Sequence, residues 1–423
     1  MLVATGALRQ RGRENLGDVA QAQMAIRRLA ERFPTGSFRF LANSPNEAAV
    51  DDTPLVRDHI DYLTMPRRRA AERLIPRRAL MLTRALLLIW GARRRNFSGV
   101  PHQVTRPRFQ VLNALDQADA LYISGSGGFS DRYVRGVPTI WMTLILVMTA
   151  LHKPVVLSGQ QIGPLSNRGN RWLVKHVLSK TALIGVREPA SLQAALELGL
   201  PPDKIVLTGD DAWDLPIDST TNLIAVCDGL DLSRGFIAAQ FRASDSTGWT
   251  IDEARAAAPS LDHLAEHLGV PVVFVSMMST PDASGDIATN REVAQMMRTP
   301  VAVLPERLSP VQLKSLLSAA TIAVGVSNHF LVFATSAGTP SIGLFRSDYL
   351  ARKVLGLAQL YPESVHAIEW SPETDIGKVE RSAIQLLQQL QCPPTSAQPV
   401  NRRAAIDRLS SLVGACAEDL RDV

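Results

Sequence analysis

Short apolar runs rich in β-branched residues alternate with longer amphipathic segments along most of this chain. Such runs predict buried parallel strands, because a strand covered on both faces is apolar throughout. The clearest of them are 2–6, 120–124, 154–159, 183–186, 236–241 and 321–326. The segments between them have helical periodicity and end at Gly or Pro. Repeated strand–loop–helix units of this kind predict an α/β protein with mostly parallel sheets.

The repetition falls into two halves with a break between them. Residues 1–215 predict an N-terminal Rossmann-like domain, and residues 236–395 predict a second one. Between them, residues 216–235 have no helical period and are rich in Asp, Ser and Thr, which indicates a linker with one short strand at 223–227. A Pro-containing stretch then leads to residues 396–423, which predict a C-terminal helix.

The most informative stretch is 321–353, where an apolar strand runs into Ser327, Asn328 and His329 and then into a helix. His329 is therefore predicted at the carboxyl end of a strand and the N-terminus of a helix. In open α/β sheets this position faces the ligand, and exposed helix N–H groups favour an anion. A histidine there can donate to the anion or pass a proton. The alternative is a capping or packing histidine.

Three glycine-containing turns of the first half are candidates for binding an anion or a sugar. The first loop carries Asn15, Gly17 and Asp18, with Asp18 as a possible cap of the following helix. Gly127 and Gly128 follow the strand at 120–124, and Gln161 follows the strand at 154–159. The glycine run 125–129 has a second interpretation, as a tight turn that packs well without binding anything.

Composition limits the class of protein. The chain has 423 residues, a formal net charge of +5 and only 3 cysteines, which are far apart. This charge is modest for the length and does not indicate a nucleic-acid partner. The cysteine spacing argues against a disulfide framework and fits a cytoplasmic protein. No secretory signal is recognised at the start, and no apolar run reaches the ~18 residues of a membrane span.

Two local patterns have competing explanations. Between Arg67 and Arg95 the chain has ten arginines and one acid, around an apolar segment. This segment is either a helix packed on the sheet or a peripheral contact with the inner face of an anionic membrane. His263 and His267 match the HxxEH spacing of some zinc peptidases. Both point away from the apolar face of their helix and have no evident third ligand, so we expect a solvated surface and no metal.

Taken together, the motifs resemble those of the polysaccharide pyruvyl transferases. The resemblance is carried by NLGD, ADALYISGSGGFSD, KPVVLSGQQIGPL, GVREPASLQAALELG and IVLTGDDAWDLP in the first half. In the second half it is carried by AAQFR, ERLSPVQLKSLLSAATIAVGVSNH and AGTPSIGLFRSDYLARKVLGL. It covers most of residues 1–360 in family order. It implies a GT-B-like architecture of two Rossmann-type domains with a cleft between them.

The resemblance also implies a reaction and roles for residues. Family members move an enolpyruvyl unit from phosphoenolpyruvate to a sugar and form a pyruvate ketal, with no cofactor. By position, Arg242 and His329 correspond to the residues that hold the donor's phosphate and carboxylate, with His329 also supplying a proton. The resemblance further implies a donor side around Ser327, Asn328, Arg346, Tyr349 and Lys353. The acceptor, a sugar that can be lipid-linked, is assigned to Asn15, Gly17, Asp18, Gly127, Gly128 and Gln161.

One position departs from the family pattern. Well-characterised members have an arginine two residues before the histidine, whereas this chain has Ser327. Another branch of the family has serine there together with a later tyrosine and lysine, which Tyr349 and Lys353 match. Two other functions therefore stay open: a GT-B glycosyltransferase or related transferase with a different donor, and a non-catalytic binding protein.

Overall fold

The computed structural model describes residues 1–4, 14–41, 55–56, 86, 90, 114–134, 137–218, 230–245, 247–279, 285–304, 308–389 and 395–419. The strands are β1 Leu2–Ala4, β2 Glu14–Asn15, β3 Arg39–Leu41, β4 Leu55–Val56, β5 Leu121–Phe129, β6 Val155–Ile162, β7 Leu183–Val186, β8 Ile205–Leu207, β9 Ile237–Gln240, β10 Val272–Phe274, β11 Met278–Ser279, β12 Val301–Val303, β13 Ile322–Gly325, β14 Ser341–Phe345 and β15 Val365–Glu369.

The helices are α1 Leu16–Arg32, α2 Val137–Ala150, α3 Arg168–Leu178, α4 Pro189–Glu197, α5 Ile251–Arg255, α6 Ala258–Leu268, α7 Asp286–Ala294, α8 Pro310–Ser318, α9 Asn328–Ser336, α10 Asp348–Leu360, α11 Gly377–Gln389 and α12 Ala404–Asp419. Within the described part of the chain, every helix is too short or too polar to cross a bilayer.

The chain divides into two compact units. Unit 1 comprises Met1–Arg11, Gln21–Asp211 and Val400–Val423, and unit 2 comprises Gly12–Ala20 and Ala212–Pro399. This division differs from the predicted one in two places. Residues 12–20 belong to unit 2 and not to the first half, and the C-terminal helix α12 belongs to unit 1. Of the predicted linker, residues 219–229 lie outside the described residues, as does the strand expected at 223–227.

Unit 1 is built on a parallel sheet of seven strands in the order β4-β3-β1-β5-β6-β7-β8. The order reverses at β1, as expected of a doubly wound sheet. The central strand β6 is buried along its whole length, which explains its continuous apolar start. Helix α2 is nearly apolar and mostly buried, because the unit covers it on several sides.

Unit 2 has a parallel sheet of six strands in the order β12-β10-β9-β13-β14-β15. Its core joins the apolar side chains of β9, β10, β13 and β14 to those of α6 and α11. A second, two-stranded antiparallel sheet pairs β2 with β11, with Asn15 opposite Met278. This small sheet is what attaches residues 14–15 to unit 2.

Two predicted elements of the first half have different bounds in the structure. Helix α1 begins at Leu16, three residues before the predicted start, so Asp18 lies inside the first turn and does not cap it. Strand β5 continues through Phe129, with an irregular register between Ser126 and Phe129. Gly127 and Gly128 are therefore strand residues and not a turn after the strand. Gly125 alone among the three glycines has positive φ, at 52°.

Candidate active site

Arg242 and His329 lie at the same edge of the unit 2 sheet. Strand β9 ends at Gln240, two residues before Arg242, and β13 ends at Gly325, four residues before His329. These two strands are parallel neighbours, with Gly325 opposite Gln240. Because the carboxyl ends of parallel neighbours share an edge, the segments that carry both side chains emerge side by side. His329 lies in the first turn of α9, as its sequence context predicted.

The side chain of Gln240 connects the two segments. Its Oε1 accepts a 2.9 Å hydrogen bond from the backbone N–H of Ser327, which fixes the start of α9. Its Nε2 donates a 2.8 Å hydrogen bond to Oδ2 of Asp286. Gln240 is fully buried. A buried amide that uses both ends in this way holds the segment before His329 against Asp286.

Asp286 is the charged centre of this edge. Its Oδ2 accepts hydrogen bonds from the backbone N–H groups of Met277 and Met278, at 2.8 and 3.0 Å. Its Oδ1 lies 3.9 Å from Nε of Arg242, whose side chain is 22% exposed. Burial raises the pKa of Asp286, while Arg242 and the two backbone N–H groups oppose that change. At this distance the contact is an ion pair without a hydrogen bond, so the buried carboxylate attracts the guanidinium and leaves its outer face available.

A second helix begins against His329. Asn15 accepts from the N–H of Gly17 through its Oδ1 at 3.1 Å, and Leu16 donates to the carbonyl of Met277 at 2.9 Å. These bonds hold the start of α1 at the same edge. A Cβ added to Gly17 would lie only 1.9 Å from Nδ1 of His329 and 2.5 Å from its Cβ. The imidazole therefore packs on the bare Cα of Gly17, and the N-termini of α1 and α9 meet there.

The other residues predicted around the histidine have distinct places. Ser327 is the N-cap of α9, but its side chain makes no capping hydrogen bond. Asn328 is 7% exposed, and its Nδ2 has no hydrogen-bond partner among the described residues. A buried amide donor at a helix N-terminus adds to the positive end of the helix dipole. Both residues are thus held at the edge that carries His329.

Arg346 makes its contacts with Glu253 and Trp370. One guanidinium nitrogen lies 2.6 Å from Oε1 of Glu253, and another donates to the carbonyl of Trp370 at 3.1 Å. Its charge is therefore paired within unit 2. Tyr349 and Lys353 lie one turn apart on α10, and Nζ of Lys353 is 4.2 Å from the centroid of the tyrosine ring. This is a cation–π contact along one helix face.

The remaining predicted residues belong to unit 1. Gln161 is fully buried, and its Oε1 accepts from Arg187 at 3.1 Å. Arg187 also pairs with Asp210 and Glu188, at 3.3 and 3.1 Å. Gln161 is thus part of a buried charged network at the carboxyl ends of the unit 1 strands. Gly128 is buried and Gly127 is partly buried within β5.

Sequence reasoning missed Gln240 and Asp286. Asp286 follows a stretch with Ser, Pro and Gly that is typical of a loop, whereas in the structure it begins α7. Its position could be read from the Ser-Gly pair before it and the helical period after it, but its contact with Arg242 depends on tertiary structure. Gln240 directly precedes Phe241 and Arg242 in the motif AAQFR, where a polar residue in an otherwise apolar strand was the available signal.

The HxxEH pattern has a structural explanation. His263 and His267 both bond to Glu380 of α11, at 2.6 and 2.8 Å, with each histidine about half exposed. One carboxylate therefore links α6 to α11 through both imidazoles. The described residues contain no group of His, Cys, Asp and Glu arranged to hold a metal ion.

Comparisons with known proteins identify a family and a fold. A family model described as polysaccharide pyruvyl transferase matches residues 15–348. No curated protein matches the sequence. Among solved structures, UDP-GlcNAc 2-epimerase from Neisseria meningitidis bound to UDP-GlcNAc has a TM-score of 0.58 at 13% identity, covering 98% of this chain and 100% of that one.

Two further structures extend this comparison. UDP-GlcNAc 2-epimerase from Methanocaldococcus jannaschii has a TM-score of 0.57 at 10% identity over 98% of this chain and 100% of that one. Arabidopsis thaliana UGT89C1 complexed with UDP-L-rhamnose has a TM-score of 0.52 at 11% identity over 97% and 98%. At these identities the likeness shows the fold alone. It confirms the prediction of a GT-B-like protein with two Rossmann-type α/β halves.

Proposed function

Because the chain belongs to the polysaccharide pyruvyl transferase family, we propose that it moves a pyruvyl unit from phosphoenolpyruvate to a sugar of a cell-surface polysaccharide or glycolipid precursor. The observation that carries this proposal is the edge of the unit 2 sheet, where Arg242, His329 and two helix N-termini converge. A donor with a phosphate and a carboxylate needs a guanidinium and N–H donors. That edge supplies both kinds of group.

The chemistry assigns a task to each side chain. His329 gives a proton to the methylene carbon of the donor, which turns the enol carbon into an oxocarbenium-like centre. One sugar hydroxyl adds to that carbon, phosphate leaves, and a second hydroxyl closes the ketal. Of the two hydroxyl protons, one replaces the proton given by His329 and the other leaves with phosphate or buffer. Arg242 orients the anion through paired hydrogen bonds.

Asp286 contributes by positioning and not by contact with the donor. Its buried carboxylate restrains Arg242 on one side, and through Gln240 it holds the segment before His329. The arginine that other family members carry is Ser327 here. Arg242 and the helix N-termini at Gly17 and Asn328 therefore bind the anionic groups of the donor.

The first test is a pair of substitutions measured by transfer kinetics. His329→Ala is expected to keep the fold and lower kcat by about 10²-fold, the usual scale for a lost general acid. Arg242→Ala is expected mainly to weaken donor binding, by roughly 2–5 kcal/mol. His263→Ala is the matched control, because this half-exposed histidine of α6 pairs with Glu380 of α11 and its loss should leave both constants unchanged.

Ligand titration separates this function from the alternatives. Binding of phosphoenolpyruvate that Arg242→Ala weakens would support the proposal. Binding of UDP-GlcNAc without phosphoenolpyruvate would indicate a nucleotide-sugar transferase instead. Binding of a donor without any turnover would indicate a non-catalytic binding protein. Wild-type turnover in His329→Ala would show that this histidine only caps or packs.

A further inference from the structure

Unit 1 carries an exposed, partly basic stripe of side chains that have no part in the proposed reaction. Four exposed residues follow each other at intervals of four along and just beyond α3: Arg168, Trp172, His176 and Lys180. A four-residue interval keeps side chains on one helix face. Trp172 is 65% exposed and stacks on His176, with ring centroids 5.3 Å apart. An exposed indole within a cationic stripe is unusual on a face that contacts only water.

This face has no acidic residue of its own. From Arg168 to Arg187 the sequence contains neither Asp nor Glu. The acid packed against α3 is Asp131, which accepts from the N–H of Asn167 at 3.1 Å and from Nδ2 of Asn170 at 2.8 Å. Asp131 is therefore held at the beginning of the helix, whereas His176 and Lys180 lie at its other end. The net charge at that end is positive.

His176 and Lys180 also line a cavity. Its volume is about 500 Å³, and its walls are Leu86, Leu146, Thr149, Ala150, His152, His176 and Lys180. Leu146, Thr149 and Ala150 form one face of α2 and supply the apolar wall. Lys180 and the imidazoles of His152 and His176 line this cavity, and none of its described wall residues is an acid. A cavity with apolar walls, one cationic side chain and two imidazoles is complementary to an amphiphile with an anionic head.

His152 adds a backbone observation to this argument. It follows the end of α2 with φ of 59°, a left-handed conformation in which glycine is the usual residue. A side chain there is retained at a conformational cost of about 1 kcal/mol relative to glycine. The side chain that results lines the cavity. Strain that persists beside a cavity points to a use for the side chain that carries it.

We propose that the stripe of Arg168, Trp172, His176 and Lys180, with the cavity beside it, is a peripheral docking surface for anionic phospholipids of a bilayer. The lipid head groups contact the basic side chains, Trp172 lies at the level of the head groups, and the cavity takes an apolar part of one lipid. Charge complementarity and the exposed indole select this occupant. Of the arginine-rich segment 67–95 the structure describes only Leu86, which lines the cavity, and Trp90.

Vesicle sedimentation of the full-length protein tests the surface. We expect binding to phosphatidylcholine vesicles that contain phosphatidylglycerol and little binding to pure phosphatidylcholine, with loss of binding as salt is raised. Lys180→Gln should weaken the anionic partition by about fivefold, the scale of one basic residue near such a surface. Lys378→Gln is the control, because it removes the same charge from an exposed position on α11 in unit 2.

Two further readouts test the indole and the cavity. Brominated phosphatidylglycerol should quench part of the tryptophan fluorescence, and Trp172→Phe should abolish that quenched part. Ala150→Glu places an acid in the cavity and should weaken binding with little change in thermal unfolding, because Ala150 is partly exposed at the end of α2.

Three results would overturn the inference. Equal sedimentation with neutral and anionic vesicles would remove the electrostatic basis. An equal loss in Lys180→Gln and Lys378→Gln would show that only net charge acts. Displacement from vesicles by millimolar inorganic phosphate, or binding to duplex DNA with none to vesicles, would assign the surface to a soluble anion or to nucleic acid.

Discussion

Gly17→Ala is the substitution that most directly tests the arrangement at His329. The added Cβ would lie 1.9 Å from Nδ1, 2.0 Å from Cγ and 2.5 Å from Cβ of the histidine, where real Cβ contacts essentially never fall below 3.0 Å. Turning the imidazole relieves the first two overlaps. It cannot relieve the third, because the backbone fixes the histidine Cβ. The starts of α1 and α9 must therefore separate.

The expected magnitudes come from two opposing effects on stability. Replacing a helical glycine with alanine normally stabilises by about 0.5–1 kcal/mol, and forcing an extra methyl into a packed contact costs about 1–3 kcal/mol. The steric overlap should outweigh the gain in helix propensity, so urea unfolding should show a small net loss of stability. Transfer should suffer more, since displacing a catalytic group by about 1 Å can lower the rate by about 10²-fold. The measurement is kcat beside the unfolding free energy.

Gly169→Ala is the matched control. Gly169 is also the second residue of its helix, α3, but an added Cβ there meets only Oδ1 of Asn167, at 3.2 Å. It should gain stability by up to about 1 kcal/mol with unchanged kcat. If Gly17→Ala behaved like this control, with wild-type kcat and higher stability, the packing of His329 on Gly17 would have no functional meaning and the reasoning above would fail.

Two further predictions concern the charged groups of unit 2. Burial raises the pKa of Asp286 above its ordinary value of 3.8, so its contribution to stability is fully present below that pH and is lost as the pH rises through the folded-state value. Asp286→Asn should therefore gain stability relative to the wild type from acidic to neutral pH in urea titrations, while kcat/KM falls because Arg242 loses its restraint; parallel stability curves would contradict this. Glu253→Gln should cost less than about 1 kcal/mol, and because Arg346 is paired with Glu253 we expect KM for phosphoenolpyruvate to stay unchanged; a changed KM would support the predicted role of Arg346 at the donor site.

The sequence predicted the parallel strands well because burial on both faces leaves a continuous apolar run that needs no tertiary information. Strand β13 and helix α9 were predicted within about two residues, and their junction located His329 at the edge. The C-terminal end of β5 was harder to predict. Gly127 and Gly128 have the composition of a turn, yet pairing with β6 continues past them to Phe129. At these glycines, pairing with the neighbouring strand outweighs the turn propensity of the local sequence.

The unit to which residues 12–20 belong cannot be predicted from the local sequence pattern. They follow β1 directly, so a Rossmann-like strand–loop–helix assignment places them in the first half. In the structure they belong to unit 2, because Glu14 and Asn15 pair with Ser279 and Met278. Two-residue strands have no periodicity to read, and their partners are more than 250 residues away in sequence. The predicted acceptor residue Gly17 is therefore a neighbour of His329.

The position of residues 12–20 beside His329 also bears on the arginine that other family members have where this chain has Ser327. At position 327 this chain has a serine, and two basic residues that follow it in sequence have partners of their own: Arg346 pairs with Glu253, and Lys353 lies over Tyr349. What the structure adds instead is the start of α1, brought beside the start of α9 at Gly17 and His329. Each helix N-terminus carries roughly half a positive charge. We infer that the two converging helix dipoles, together with Arg242, supply the positive potential for a donor that has two anionic groups. The pairing of β2 with β11, which holds the start of α1 in place, is then as important for donor binding as any single side chain.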